Sequence, residues 1–269
     1  MLDGKKIGFI GGGNMAEAII KGLLAGGVQA GAIMVAEPIS LRRNFLSSEY
    51  SVVTDDNLDV ARQADIIILA IKPQVAASVL TALEPAITAN KLIISIMAGI
   101  STGFIEETLT NGVRVVRSMP NTPALIQTAA TAVCAGRKAT EQDLETAREI
   151  FSLVGTVVTV PEKQMDAVTG LSGSGPAYVF TFIEALSDAG VKNGLQRDVA
   201  LQLAVQTVLG AAKMMAESTE HPAQLRDKVT SPGGTTIAAL HALEKDGFRG
   251  VIMDAVDAAC KRSKELAGK

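Results

Sequence analysis

Two stretches of this sequence combine residue types and spacings that suit chemistry, and in both a glycine pair meets an expected helix start. The first is Lys6-Ile-Gly-Phe-Ile-Gly-Gly-Gly-Asn-Met-Ala16, which holds the pattern G-x-G-x-x-A directly after an apolar run. Gly11 permits a tight turn, Gly13 lets the backbone approach a pyrophosphate, and Ala16 lets the helix lie close on the strand. Unpaired N–H groups and the helix dipole at such a turn attract phosphates. The chemistry is that of a dinucleotide site, and a glycine-rich turn without a ligand is the plainer alternative. The second stretch is Ser231-Pro-Gly-Gly-Thr-Thr236, running into a helical Ile237–Lys245. Its glycines expose N–H groups at a helix start, where a carboxylate can sit. The Thr235 and Thr236 hydroxyls would then reach the atoms beside that carboxylate. Ordinary capping by Ser or Thr is the competing reading.

Three further segments bear on a cofactor. Glu37 ends the second expected strand, 26 residues after Gly11, close to where an acid takes the adenosine ribose hydroxyls of NAD. Its charge would repel a 2′-phosphate, whereas Arg42 and Arg43 would attract one, and all three also read as solvated surface charges. NADH and NADPH both stay open. In Ile71-Lys72-Pro73 the proline keeps Lys72 out of a helix, leaving the amine able to meet a cofactor phosphate or ribose. In Ser118-Met-Pro-Asn-Thr-Pro-Ala124 two prolines fix a non-helical loop suited to shaping a nicotinamide pocket.

The elements that must hold these loops follow from periodicity. Strands are expected at Lys6–Ile10, Ala32–Val35, Ile66–Ala70, Leu92–Ile96, Val113–Arg117, Ala129–Cys134 and Thr156–Val160. Most are apolar throughout, which suits a parallel sheet covered on both faces. Between them Asn14–Ala25, Asp56–Ala64, Val75–Leu83, Thr102–Leu109 and Glu141–Leu153 read as helices. Such alternation predicts an α/β, Rossmann-type doubly wound sheet. After Pro161 no strand is evident. Pro176–Lys192 is apolar on most faces and Gln196–Glu217 is rich in Ala, so an all-α second domain is expected. The division is thus residues 1–161 and 162–269. These two helices exceed what a small domain buries internally, which points to an oligomer interface.

Composition excludes other classes. The 269 residues carry 25 Lys and Arg against 28 Asp and Glu, and aromatics are 3%, so neither a phosphate-neutralising surface nor stacking platforms for nucleic acid are expected. Two Cys and two His cannot form a zinc cluster, and no metal is expected. The distant cysteines read as reduced. The start lacks the pattern of a secretory signal, and Glu184 and Asp188 break the best candidate for a membrane span. A soluble cytoplasmic chain is expected.

The inventory also narrows the reaction. Alcohol dehydrogenation needs a base poised near neutral pH. β-Hydroxyacid dehydrogenases, which share this layout, use a Lys four residues beyond a glycine-rich turn. Here Gly170-Leu-Ser-Gly-Ser-Gly-Pro176 is followed by Ala177-Tyr-Val-Phe180, without that Lys. His221 and His241 read as surface or helix-end residues. Reduction of a C=N bond, whose protonated form already attracts hydride, makes lighter demands. A non-catalytic dinucleotide sensor would have no use for the Ser231–Thr236 loop.

The chain resembles the pyrroline-5-carboxylate reductase family along essentially its whole length. The motifs are Phe9-Ile-Gly-Gly-Gly-Asn-Met15, Ile71-Lys-Pro73, Met119-Pro-Asn-Thr-Pro123, Gly170-Leu-Ser-Gly-Ser-Gly-Pro-Ala-Tyr178 and Ser231-Pro-Gly-Gly-Thr-Thr-Ile237. His221-Pro222 lies upstream of the last and Leu243-Glu244 downstream. The resemblance implies reduction of L-1-pyrroline-5-carboxylate to L-proline by NADH or NADPH, the last step of proline synthesis. It implies cofactor contacts at Ile10, Gly11, Gly12, Gly13, Asn14, Met15, Asn57, Ile71, Lys72 and Ala98. It places Glu162 near the ring nitrogen, the substrate carboxylate on Ser231, Gly234 and Thr235, and the ring nitrogen on Thr236. Thr236 then either donates the proton or orients an imine that arrives protonated. A homodimer interlocked through its helical domains is implied, often assembled as pentamers of dimers. Glu37 departs from the small hydroxylic residue of NADPH-using relatives, so the choice of cofactor stays open.

Overall fold

Continuous apolar strands need cover on both faces, and the computed structural model, which describes residues 2–266, supplies it. The first elements are β1 (Ile7–Ile10), α1 (Asn14–Ala25), β2 (Ile33–Ala36), α2 (Ser40–Tyr50), β3 (Val53–Thr54), α3 (Asn57–Gln63) and β4 (Ile66–Leu69). Then come α4 (Ala76–Leu83), β5 (Leu92–Ser95), α5 (Thr102–Thr108), β6 (Arg114–Met119), β7 (Ala129–Ala135), α6 (Glu141–Ser152) and β8 (Gly155–Thr159). The chain ends in helices α7 (Met165–Val168), α8 (Gly175–Lys192), α9 (Arg197–Glu217), α10 (Pro222–Lys228), α11 (Thr235–Lys245) and α12 (Phe248–Leu266).

The eight strands form one sheet in the order β3-β2-β1-β4-β5-β6-β7-β8. Strand residues alternate between two cores, as a pleat requires. Phe9, Ile68 and Ile94 enter the core that also holds Ile19 and Leu23 of α1 and Ile150 and Phe151 of α6. Ile10, Ile67 and Ile93 enter the other, against Val60 of α3, Leu80 of α4 and Ile105 of α5. The order reverses at β1, and in such sheets ligands bind outside the carboxyl ends of the strands at that point.

The fully parallel sheet expected from composition is corrected at one place: β6 and β7 pair antiparallel, with Arg117 opposite Cys134 and Met119 opposite Ala132. The segment between Met119 and Ala129 is shorter than the dozen or more residues a parallel crossover needs, so the chain turns back on itself. Five elements have no counterpart among the expected ones, namely α2, β3, α7, α10 and α12. The expected turn at Gly170–Pro176 is instead a π-helical segment, Thr169–Gly173, that carries α7 toward α8.

By its internal contacts the chain divides into two units, one running to Ser174 and including the end of α12 from Asp257, the other Gly175–Val256. Ser263 belongs to the first because its hydroxyl donates to the Asp166 carboxylate at 2.8 Å, both being buried. In the second unit α8 packs on α9, with Gly190 set against Ala200. Only Ser187, Ala200 and Ala204 are buried there. α9, and not the segment that Glu184 and Asp188 break, is long and apolar enough to cross a membrane by length and composition alone.

At the start of β8, Gly155 (φ 150°) lies so close to β7 that a Cβ would come within 2.1 Å of the Ala129 carbonyl oxygen. Gly155→Ala is expected to cost about 3 kcal/mol. The cost is read as a lower midpoint of chemical unfolding followed by circular dichroism, since the chain has no Trp; an unchanged midpoint would contradict the packing.

Candidate active site

At the carboxyl end of β1, Gly11 donates to the Ala36 carbonyl at 2.8 Å. Its φ is +97°, and a Cβ there would lie 2.5 Å from the Ala70 carbonyl oxygen. Only glycine passes between β2 and β4 at this point. Gly13 is the N-cap of α1 and no side chain caps that helix. A Cβ on Gly13 would meet nothing within 4 Å. The first N–H groups of α1 are therefore offered to an open surface, which fits a pyrophosphate.

The sequence-derived cofactor residues gather around that opening. Ile10 ends β1 and Gly11 to Met15 follow it, Ile71, Lys72 and Pro73 follow β4, and Ala98 follows β5, three adjacent strands of the sheet. Lys72 is extended (ψ 139°) and exposed, as its proline neighbour requires. Asn57 opens α3, whose N-cap Asp56 accepts from the Asp59 N–H. A cavity of about 420 Å³ beside it is lined by Ala36, Glu37, Pro38, Arg43, Thr54, Asp55, Asp56 and Asn57.

Glu37 is not a loose surface acid. One carboxylate oxygen accepts from the Gly12 N–H and the other from the Ile39 N–H, both at 2.9 Å. Arg42 donates through Nε to the Gly12 carbonyl at 2.6 Å and through Nη2 to Glu17 at 2.5 Å, and it lies over the Phe45 ring. Tyr50 donates to the other Glu17 oxygen at 2.7 Å. Burial alone would raise the Glu17 carboxyl, but the Tyr50 and Arg42 hydrogen bonds outweigh it and hold the group below its ordinary range. Burial, with Glu17 alongside, pushes the Tyr50 hydroxyl up to about 12. Arg43 donates to the Glu37 carbonyl at 3.0 Å.

A second cluster, unannounced by the sequence, surrounds Glu162. Its carboxylate accepts from the Thr102 N–H at 2.7 Å and the Thr102 hydroxyl at 2.6 Å. Arg117 Nη1 lies 3.6 Å away. Arg117 is 1% exposed, and its Nε and Nη2 have no hydrogen-bond partner among the described residues. In the sequence Arg117 closes a strand that also carries Arg114, so it passes for the strand's end. Asn121, in the expected nicotinamide loop, donates to the Ser172 carbonyl at 3.0 Å and accepts from the Ala130 N–H at 2.9 Å. That loop contains a 3-10 turn, Thr122–Ile126.

In the other unit, helix α11 begins two residues earlier than expected, at Thr235, with Gly234 as N-cap and no side-chain cap. The capping alternative for Ser231, Thr235 and Thr236 is thereby replaced by helix-end N–H groups that no side chain occupies. Gly233 takes φ +66° and the Gly234 N–H donates to the Ser231 carbonyl at 3.1 Å. This curl brings the Ser231 hydroxyl over Gly234, where a Cβ would lie 2.3 Å from it. His221 is a helix-end residue: its Nδ1 accepts from the Ala223 N–H at 3.2 Å, and Gln224 completes a capping box.

Comparison with known proteins agrees with both halves of this picture. Residues 162–266 match a family model described as pyrroline-5-carboxylate reductase dimerisation. Residues 6–99 match one described as NADP oxidoreductase, coenzyme F420-dependent. A pyrroline-5-carboxylate reductase of Methanosarcina acetivorans is 49% identical, covering 100% of both chains. The solved pyrroline-5-carboxylate reductase of Coxiella burnetii superposes with a TM-score of 0.91 at 40% identity, covering 98% of each chain. The Plasmodium falciparum pyrroline carboxylate reductase, solved with NADP bound, gives 0.89 at 36% identity, covering 98% of this chain and 99% of its own.

In the first unit, a buried thiol on β7 sets a pH dependence. Burial, with Glu162 nearby, pushes the Cys134 thiol from 9.0 up to about 12. Below the ordinary value both folded and unfolded thiols hold the proton. Above it the unfolded thiol ionises while the folded one does not, so stability falls as pH rises toward about 12. Cys134→Ala should flatten this part of the alkaline decline in unfolding free energy, and an equally steep decline in the variant would refute the assignment.

Proposed function

The chain belongs to the pyrroline-5-carboxylate reductase family, and from that premise we propose how its residues divide the work. It is an oxidoreductase that reduces L-1-pyrroline-5-carboxylate to L-proline with a nicotinamide dinucleotide, in proline biosynthesis. The observation that carries this is 49% identity to a reductase of that name over the full length of both chains.

When bound, the reduced nicotinamide supplies the hydride that adds to C5 of the ring. The protein must then hold the dinucleotide, fix the substrate carboxylate and see one proton onto the ring nitrogen. Ile10, Gly11, Gly12, Gly13, Asn14 and Met15 take the first task, with the pyrophosphate on the uncapped start of α1. Glu37 and Asn57 face the adenosine side, and Ile71, Lys72, Pro73 and Ala98 complete the cofactor contacts. Ser231, Gly234 and Thr235 hold the substrate carboxylate, supported by free N–H groups at the α11 start. Thr236, in the first turn of that helix, hydrogen-bonds the ring nitrogen. A hydroxyl is a weak acid, so Thr236 either relays the proton or aligns an imine that is already protonated. Glu162 is assigned beside the ring. Both of its oxygens already accept from Thr102, so toward the ring it offers its remaining lone pairs.

Residues 1–161 form the cofactor domain in this reading and 162–269 the substrate and dimerisation domain. The protein self-associates through the latter, consistent with a family model named for dimerisation over residues 162–266. Assembly into pentamers of dimers and a cytoplasmic location are part of the proposal. No metal takes part.

Loss of nicotinamide absorbance on adding pyrroline-5-carboxylate tests the reaction, and no loss with either NADH or NADPH would overturn it. Thr236→Ala is expected to lower turnover by about a hundredfold while leaving dinucleotide affinity in place. Turnover equal to the parent enzyme would remove Thr236 from the chemistry.

A further inference from the structure

We propose that this chain selects NADH over NADPH, and that Glu37, held rigidly between the glycine turn and the start of α2, makes the selection. The inference rests on the dinucleotide reading of the first unit and goes beyond it to the identity of the cofactor.

The two cofactors differ only at the adenosine 2′ position, a hydroxyl in one and a phosphate of charge about −1.5 to −2 in the other. The cavity lined by Glu37 and Asn57 receives that position if the pyrophosphate lies on α1. Its lining sets three carboxylates, Glu37, Asp55 and Asp56, against one guanidinium, Arg43. A 2′-phosphate entering there faces like charge on most sides, while a ribose diol finds acceptors. Glu37 is pre-oriented for that diol. A carboxylate has about four lone-pair sites, and the Gly12 and Ile39 N–H groups occupy two of them. The others remain for the ribose hydroxyls.

The two arginines that follow do not reverse the balance. Arg42 is bound to the Gly12 carbonyl and paired with Glu17, whose other oxygen is held by Tyr50. Turning it toward a phosphate would strand Glu17 partly buried beside Tyr50. Arg43 donates to the Glu37 backbone carbonyl and stands alone against the three carboxylates of the lining. The sequence alone weighs Glu37 against two arginines and reaches no decision. The hydrogen bonds decide it, because they spend Arg42 within the protein and leave Glu37 facing the cavity.

Calorimetric titration of the full-length protein with NAD⁺ and with NADP⁺ is the test, since it reads binding independently of turnover. NAD⁺ is expected to bind about tenfold to a hundredfold more tightly. Glu37→Gln keeps the side-chain shape and one acceptor for Gly12 while removing the charge, and Glu37→Ser removes both. Each should move the affinity ratio toward NADP⁺ by about tenfold or more, with melting by circular dichroism confirming that the variants are folded. Equal or tighter binding of NADP⁺ by the parent protein overturns the inference, as does a ratio unchanged in both variants. Binding of neither nucleotide overturns it together with the dinucleotide reading. Selective NAD⁺ binding without reduction of pyrroline-5-carboxylate leaves it standing and removes the substrate instead.

Discussion

Between β2 and β4 the backbone at Gly11 passes so near the Ala70 carbonyl that no side chain fits, and the geometry of the cofactor end follows from that approach. Because Gly11 stays hydrogen-bonded to Ala36 on one side and presses on Ala70 on the other, the chain leaves β1 at the centre of the sheet and rises at once into α1. The start of α1 is thereby brought to the point where strand order reverses. The carboxyl ends of β2 and β4 come with it, carrying Glu37 on one side and Ile71 on the other. Glu37 then fastens to Gly12, so the glycine turn and the acid at the end of β2 form one rigid piece. A pre-formed site of this kind loses less entropy on binding than one assembled by the ligand.

Much of this could be read from residue order, for identifiable reasons. β1 and β4 are runs without a polar side chain and β5 has only Ser95, as suits strands buried on both faces. α1 and α6 carry clear apolar stripes. By contrast α2 buries only Leu46, so its periodicity is too weak to announce a helix, and β3 is two residues long. The antiparallel β7 was legible in principle from the short connection after Met119, but strand composition does not record direction. The Arg117–Glu162–Thr102 cluster was not legible, because it joins residues from three separate elements. At the Ser231 loop, sequence left capping and ligand binding in balance, and backbone geometry resolved the first by showing no side-chain cap.

The helical unit poses a different constraint. From Gly175 to Val256 only three residues are buried in the single chain, and all three are small: Ser187, Ala200 and Ala204. Phe180 is 64% exposed, Leu203 54% and Leu209 57%. Apolar patches on this scale are not stable against water and mark a surface that another surface covers. The family model matching this region is named for dimerisation, and a second copy is the cover that accounts for an apolar content of 48% in a chain whose first unit already has two filled cores. The membrane-length composition of α9 has the same origin: a helix buried between protein surfaces and one buried in lipid carry similar residues.

A charged side chain inside a sheet needs a reason, and Arg117 has one only in combination. Removing water from a guanidinium is costly unless an opposite charge and hydrogen bonds replace it, and here Glu162 supplies the charge. Glu162 cannot turn away, since Thr102 holds both of its oxygens, through the first N–H of α5 and through its hydroxyl. The arginine faces the acid, the acid fixes the start of α5, and β6 ends at Met119, two residues beyond Arg117. Asn121 then locks that loop to β7 and to Ser172. The direction in which Glu162 presents its remaining lone pairs is therefore set by the sheet before any ligand arrives. Its replacement by an uncharged residue would leave the buried Arg117 guanidinium without its opposing charge.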